Sequence, residues 1–255
     1  DVYLDAVFNP NIYRYNEIMM QEGWHYELEN KEDELTYKGV VYNEMKGAFS
    51  SPESILFRKI SESLFPDTAY GVESGGDPDV IPMLTQKQFT DFHKKYYHPS
   101  NSYLYLYGDM DIIEKLKFID ENYLSSYEKI KVDSAIEVQK PYNEIKEITI
   151  NYPVSNNEKE EDKTFLSLNF AVGTSTDPEL YLAFEILEHL LLETPGSPLK
   201  KALIDSEIGK DVFGVYEGSI LQPIFSIVVK NSNVDKKEQF KKVVYDTLNN
   251  LVTNG

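Results

Sequence analysis

Residues 39–52, GVVYNEMKGAFSSP, predict a short helix, a stop and the start of a second helix. The apolar residues of the first helix recur at the spacing of one helical face: Val41, Met45 and Ala48. Gly47 lies near the predicted end of this helix. Glu44 is predicted to lie on the apolar flank, where a carboxylate buried alone would need a cation, a proton or several hydrogen-bond donors.

Outside this stretch the sequence alternates helical and extended patterns. Helical spacing or helix-start signals predict helices over 1–8, 13–20, 35–46, 52–64, 85–95, 110–122 and 177–193, from 197 onward and over 236–252. Alternating large and polar residues predict strands over 21–28, 102–108, 145–154, 164–172, 210–215 and 225–230. Both halves mix antiparallel-type strands with helices, which favours an α+β fold over strict βαβ alternation.

A domain boundary is predicted near the middle of the chain. The periodicity is lost over residues 125–145, and Lys140 is followed there by a proline. We therefore predict a first domain over 1–130, a linker over 131–144 and a second domain over 145–255.

Composition narrows the classes of partner. The 255 residues are 41% hydrophobic, which supplies enough apolar surface for a core, and their net charge of −18 disfavours nucleic acid and anionic lipid. The acidity favours cationic peptides or metal ions, or it only keeps the protein soluble. No apolar run approaches the roughly 20 residues that span a bilayer, so we expect no membrane partner. The compartment stays open, and the cytoplasm or an organellar matrix is our expectation for a chain of this kind. The chain opens at Asp1 inside an apolar-periodic pattern, which predicts a fragment of a longer protein.

Two residue patterns could carry metal chemistry. Because the chain has no cysteine, a metal would need His, Asp, Glu or water as ligands. One candidate is Glu44, unless it lies at the edge of the apolar stripe and reaches water. The other is Glu185-Ile-Leu-Glu188-His189, which keeps the spacing of the metallopeptidase motif H-x-x-E-H with Glu185 in place of the first histidine. Glu and His four residues apart are also a common surface ion pair.

Several collinear motifs carry a resemblance to a known family. In chain order they are QEGWHYE, KGVVYNEMKGAFSSP, LFPDTAY, SGGDP, IPMLT, FHKKYYHPSN, LYGD and LLETPGSPLKKALI. Together they resemble the pitrilysin/insulinase family of zinc metallopeptidases, in particular its presequence-protease branch, which includes falcilysin. The resemblance covers most of residues 1–115 and a good part of residues 145–230.

This resemblance implies a zinc-dependent endopeptidase that degrades short unfolded peptides inside a closable chamber. In that family an H-x-x-E-H helix gives two zinc ligands and the general base, and a glutamate on a later helix completes the site. By motif position that glutamate is Glu44. The resemblance also implies two homologous units, each an antiparallel sheet layered with helices, and we expect both to be incomplete here.

The chain departs from the family pattern because it contains no H-x-x-E-H. The resemblance therefore assigns no catalytic residue to this chain, and we expect the segment alone to be inactive and to bind no zinc tightly. The histidines and the base would come from the remainder of its own polypeptide. The Glu185–His189 pattern would be a relic of the motif that serves packing.

A non-catalytic scaffold or binding module of the same family, with its metal site lost, is the alternative. A carboxylate-only calcium site is a more remote one, because the EF-hand loop pattern is missing. The substrate-binding residues, the natural peptide substrate and the oligomeric state stay open.

Overall fold

The structure, a computed structural model, describes residues 1–254 and divides into two compact units. The first unit consists of residues 1–51 and 73–135, and the second of residues 52–72 and the chain from Ile136 onward. Residues 52–72 thus belong with the second unit, although the sequence placed them in the first domain. The reason is apolar packing, because Ile60 and Phe65 form a buried cluster with Ile224. The predicted domain limits themselves stay a prediction.

The first unit combines short helices with one two-stranded hairpin. Its regular elements are α1 (Val2–Phe8), α2 (Glu17–Glu22), β1 (His25–Glu27), β2 (Thr36–Lys38), α3 (Val40–Ala48), α5 (Gln86–Tyr96) and α6 (Ile112–Ile119). One-turn 3₁₀ helices lie at Asn11–Tyr13, Ile81–Met83 and Pro99–Asn101, and a π-turn at Asp120–Leu124 follows α6. Strands β1 and β2 are antiparallel, and Tyr26 lies directly opposite Tyr37.

Side-chain caps explain where two of these helices begin. At the start of α5, the Thr85 hydroxyl accepts a hydrogen bond from the Gln88 N–H, and the Gln88 side chain accepts one from the Thr85 N–H. This capping box satisfies two backbone donors that have no partner within the helix. Asp111 caps α6 in the same sense, because its carboxylate accepts hydrogen bonds from two backbone N–H groups of the first turn.

The second unit is built around a three-stranded antiparallel sheet. Its elements are α4 (Pro52–Leu64), β3 (Thr164–Ala171), α7 (Pro178–Glu188) with a π-turn at His189–Glu193, α8 (Pro198–Asp205), β4 (Asp211–Glu217), β5 (Ile224–Ser232) and α9 (Lys237–Asn254). One-turn 3₁₀ helices lie at Ala69–Gly71 and Val234–Lys236. The strand order is β3-β5-β4. Fully buried residues of the sheet and of α8 and α9 form one core: Leu199, Leu203, Val212, Val229, Phe240 and Val244.

The predicted α+β class with antiparallel sheets is confirmed. The predicted strands at 164–172, 210–215 and 225–230 are also confirmed as β3, β4 and β5. The strands predicted over 102–108 and 145–154 are wrong for the described residues, in which both segments are irregular and join no sheet. An alternating pattern becomes a strand only when a neighbouring backbone takes its hydrogen bonds, and neither segment has one here.

Two helix boundaries and one strand boundary also moved. The helix predicted over 35–46 begins only at Val40, because Thr36–Lys38 pair with β1 instead. The helix predicted over 13–20 is displaced to Glu17–Glu22, and the strand predicted over 21–28 is correspondingly shortened to His25–Glu27. Among the helices between residues 1 and 254, none combines the length and hydropathy that crossing a bilayer requires.

Candidate functional site

Helix α3, which carries Glu44, is anchored to the hairpin by a close approach of two glycines. Gly39 precedes the helix with φ 153°, and a Cβ atom at this position would lie 2.2 Å from the Gly23 carbonyl oxygen. The same carbonyl accepts a hydrogen bond of 3.2 Å from the Tyr42 N–H. Because any side chain at residue 39 would collide with backbone, glycine fixes how closely the first turn of α3 meets this loop.

Two side chains then set the rotation of α3. The Tyr42 ring packs against Tyr37 of β2 with 5.9 Å between ring centroids. Met45 packs so closely on Gly75 that a Cβ there would lie 2.5 Å from the Met45 sulfur. With these two residues turned toward the unit, Glu44 is turned to the exposed side of the helix.

Glu44 is therefore an exposed carboxylate. Within residues 1–254 no hydrogen bond or ion pair engages it. The expectation that it lies on a buried apolar flank is wrong, because α3 has no buried side chain in the described chain and Val40 and Val41 are themselves exposed. Its role as a zinc ligand stays a prediction.

The described residues bring too few metal-ligating side chains together to bind an ion without help from another part of the protein. Among the described residues, no three His, Asp or Glu side chains are close enough together to hold an ion. Catalytic zinc takes three protein ligands and one water, so an isolated carboxylate is one donor of such a set and not a site. An exposed glutamate with no competing partner fits the chemistry of a single contributed ligand.

The Glu185–His189 segment has a different environment. Glu188 is half-buried at the end of α7, and a Cβ added to Gly214 of β4 would lie 2.5 Å from its Oε1 atom. This buried oxygen has no hydrogen-bond partner within residues 1–254. Desolvation, reinforced by the Glu193 carboxylate, raises the pKa of Glu188. The structure brings Glu188 to the sheet, whereas Glu185 and His189 are exposed.

Three histidines outside this segment make hydrogen bonds within the first unit. The Nδ1 atom of His25 lies 2.6 Å from the Met20 carbonyl oxygen. His93 contacts the Tyr13 hydroxyl at 2.7 Å and the Val7 carbonyl oxygen at 2.8 Å. His98 accepts a hydrogen bond from a backbone N–H of the following 3₁₀ turn. All three therefore have structural partners.

Sequence reasoning missed a cleft of about 300 Å³ in the second unit. Lys230 of β5 forms an ion pair with Glu53 of α4 there, and its Nζ atom lies 5.6 Å from the centre of the Phe165 ring. The hydrogen bond from Lys230 lowers the pKa of Glu53. No sequence signal could have joined these residues, because Glu53 and Lys230 are 177 positions apart.

The fold is shared with a solved peptidase. A protease from Helicobacter pylori superposes with a TM-score of 0.51 at 20% identity, over 83% of this chain and 51% of that one. A similarity at this identity identifies the class of fold. The family model described as "Peptidase M16 inactive domain" matches residues 83–255. The chain therefore belongs to the M16 peptidase family, which confirms the resemblance drawn from its motifs.

Relatives match the chain along its whole length. Protein HypA of Clostridium perfringens is 56% identical over 255 residues, which are 100% of this chain and 26% of that protein. Presequence protease 1, chloroplastic/mitochondrial, of Arabidopsis thaliana is 39% identical over 100% of this chain and 24% of its own length. The chain thus spans about a quarter of these relatives. Glu44 lies outside the range that the inactive-domain model matches.

Proposed function

We propose that this chain is part of a zinc-dependent endopeptidase that degrades short unfolded peptides inside a closable chamber. Glu44 would be the third protein ligand of the zinc ion. The observation that carries the proposal is the chain-long similarity to presequence proteases, which includes the helix α3 that bears Glu44. The two histidines and the general base would come from other parts of the polypeptide.

The surroundings of Glu44 suit that role. Gly39, Tyr42 and Met45 hold α3 against the first unit, so the carboxylate is presented outward on a supported helix. No lysine or arginine of the described residues pairs with it, so nothing in this chain would compete with a cation for its oxygens. When bound, zinc would lower the pKa of a water molecule and polarise the scissile carbonyl.

The remaining parts of the proposal follow from charge and similarity. A chain with a net charge of −18 is suited to short basic peptides and not to nucleic acid or anionic membranes. We place it in the cytoplasm or an organellar matrix; the Arabidopsis relative is named chloroplastic/mitochondrial. The domain limits 1–130, 131–144 and 145–255 belong to the same proposal.

The test is Glu44→Gln in the full-length protein, with zinc content and peptide cleavage both measured. We expect cleavage to fall more than about 100-fold, because even outer-shell partners of a zinc site contribute about 10- to 100-fold. Zinc stoichiometry should fall with it. Glu17→Gln, the same change at an exposed glutamate of α2, is the matched control and should leave both values unchanged.

A non-catalytic scaffold of the same family is the second candidate, and the description of the domain over residues 83–255 as inactive favours it. The coding sequence ahead of Asp1 separates the two. An H-x-x-E-H helix encoded there supports the peptidase. A gene without that motif, together with a full-length protein that contains no zinc, would support the scaffold. Tight, stoichiometric zinc on the 255-residue chain alone would contradict a ligand set completed from elsewhere.

A further inference from the structure

One face of the β1–β2 hairpin is aromatic. Tyr26 and Tyr37 are cross-strand neighbours with 5.2 Å between ring centroids. Trp24 lies two residues before Tyr26, and its ring is 5.4 Å from Tyr26 and 5.8 Å from Tyr37. Tyr42 of α3 borders the group through its contact with Tyr37. We call these four residues the aromatic face.

The two central rings of the aromatic face are largely open to solvent. Tyr26 is 57% exposed to solvent and Tyr37 is 42% exposed, which is unusual for two adjoining aromatic side chains. Other tyrosines of the first unit have a lysine over the ring: Lys94 lies 5.4 Å from the Tyr13 ring and Lys95 4.7 Å from the Tyr96 ring. Across residues 1–254 no such cation covers Tyr26 or Tyr37.

The lysine that ends the hairpin cannot fill this place. Side chains alternate between the two faces of a strand, so Lys38 projects from the face opposite to Tyr37. There it forms ion pairs with Glu27 and Glu29. The open rings are thus left without a cation from their own hairpin.

The negative charge around the hairpin favours binding of a cation from another molecule at the exposed rings. Residues 25–38 contain five carboxylates and two lysines, within a chain of net charge −18. A negative field of this kind attracts cations, and the face of an aromatic ring binds them. The neighbouring Tyr26 side chain raises the pKa of Tyr37, so the Tyr37 phenol is neutral near pH 7 and attraction there comes from its π-face.

We infer that the aromatic face is a subsite for a lysine or arginine side chain of a bound peptide, held over the Tyr26 and Tyr37 rings. The inference rests on the proposed function in one respect, because it takes the ligand to be a peptide. It does not depend on zinc or on cleavage.

The test uses Trp24, the single tryptophan of the chain, as a fluorescent reporter inside the site. The 255-residue chain is titrated with the capped peptide Gly-Gly-Arg-Gly-Gly and with the same peptide carrying neutral, isosteric citrulline in place of arginine. We expect the arginine peptide to bind about two- to fivefold more tightly, the effect of an exposed cation–π contact, and this preference to weaken as salt is added.

Substitutions of the two tyrosines test whether the preference for the arginine peptide depends on the Tyr26 and Tyr37 rings. Tyr26→Leu and Tyr37→Leu keep apolar bulk and should abolish the arginine preference, whereas Tyr37→Phe keeps the π-face and should retain it. Tyr103→Leu removes a fully exposed tyrosine elsewhere in the first unit and is the matched control. Circular dichroism of each variant verifies that the hairpin change leaves the fold intact.

Three outcomes would overturn the inference: no binding of either peptide, equal binding of the arginine and citrulline peptides, or an arginine preference that survives both leucine variants. Equal binding would mean that the positive charge of the side chain contributes nothing to binding. Because neither peptide titration involves zinc, a full-length protein that proves non-catalytic would defeat the proposed function and leave this result standing.

Discussion

The two units of the chain differ in how far they bury their apolar residues. In the second unit the central strand β5 lies between two partners, and Val228 and Val229 are completely buried. In the first unit the only regular sheet of the described residues is the three-residue hairpin, and Tyr103, Tyr105 and Tyr107 are almost fully exposed. Strand pairing within the chain therefore decides which apolar pattern becomes a core and which stays at a surface.

Hydrogen exchange of the intact chain should show the largest contrast. Amides of β5 are expected to exchange at least about a thousandfold more slowly than those of residues 103–107, because paired, buried strands open only with the unit as a whole. Mass spectrometry of peptides from the two segments measures the ratio. Slow exchange over residues 103–107 would mean that this segment is paired, as the sequence pattern predicts.

Truncation of one phenylalanine in each unit should give the next largest difference. Phe240 of α9 is 2% exposed, and Phe240→Ala is expected to lower the free energy of unfolding by about 3–5 kcal/mol. Phe92 of α5 is 59% exposed, and Phe92→Ala should cost less than about 1 kcal/mol. Urea denaturation followed by circular dichroism compares the two, and equal losses would contradict the difference in burial.

The smallest expected effect is a change in the pH dependence of stability caused by the half-buried carboxylate of Glu188 in the second unit. The pKa of Glu188 is raised by desolvation and by Glu193, while His189 and Lys200 act in the opposite direction. Protonated Glu188 therefore stabilises the fold below about pH 4.5, its ordinary pKa, and this contribution is lost as the pH rises through the raised value.

Glu188→Gln should consequently stabilise the chain at pH 7 and have no effect near pH 4. The gain is expected to stay below about 1 kcal/mol, because the carboxyl group is still partly hydrated. Urea denaturation at both pH values measures it. Glu160→Gln, in an exposed loop of the same unit, is the control. A stability loss at pH 7 would show that charged Glu188 is favourably paired.

Structural features that depend on residues close together in the sequence were predicted correctly, whereas features that depend on distant residues were not. Local signals placed the start of α5 correctly, because the Thr85–Gln88 capping box lies within four residues. They failed for residues 35–39, where pairing of Thr36–Lys38 with β1 overrode the expected helix. In the candidate site, the motif singled out Glu44, but its exposure depends on Met45 packing against Gly75, thirty positions away, which no periodicity reports.

By itself, the sequence determined the α+β class and the family, and it singled out Glu44 as a predicted metal ligand, because these depend on local patterns and on collinear motifs. The tertiary structure alone decided that Glu44 faces solvent, that Glu188 faces the sheet, and that Tyr26 and Tyr37 meet as an open aromatic face. Those facts depend on which distant backbone and side chains come within contact distance, and alternation or spacing along the chain cannot specify them.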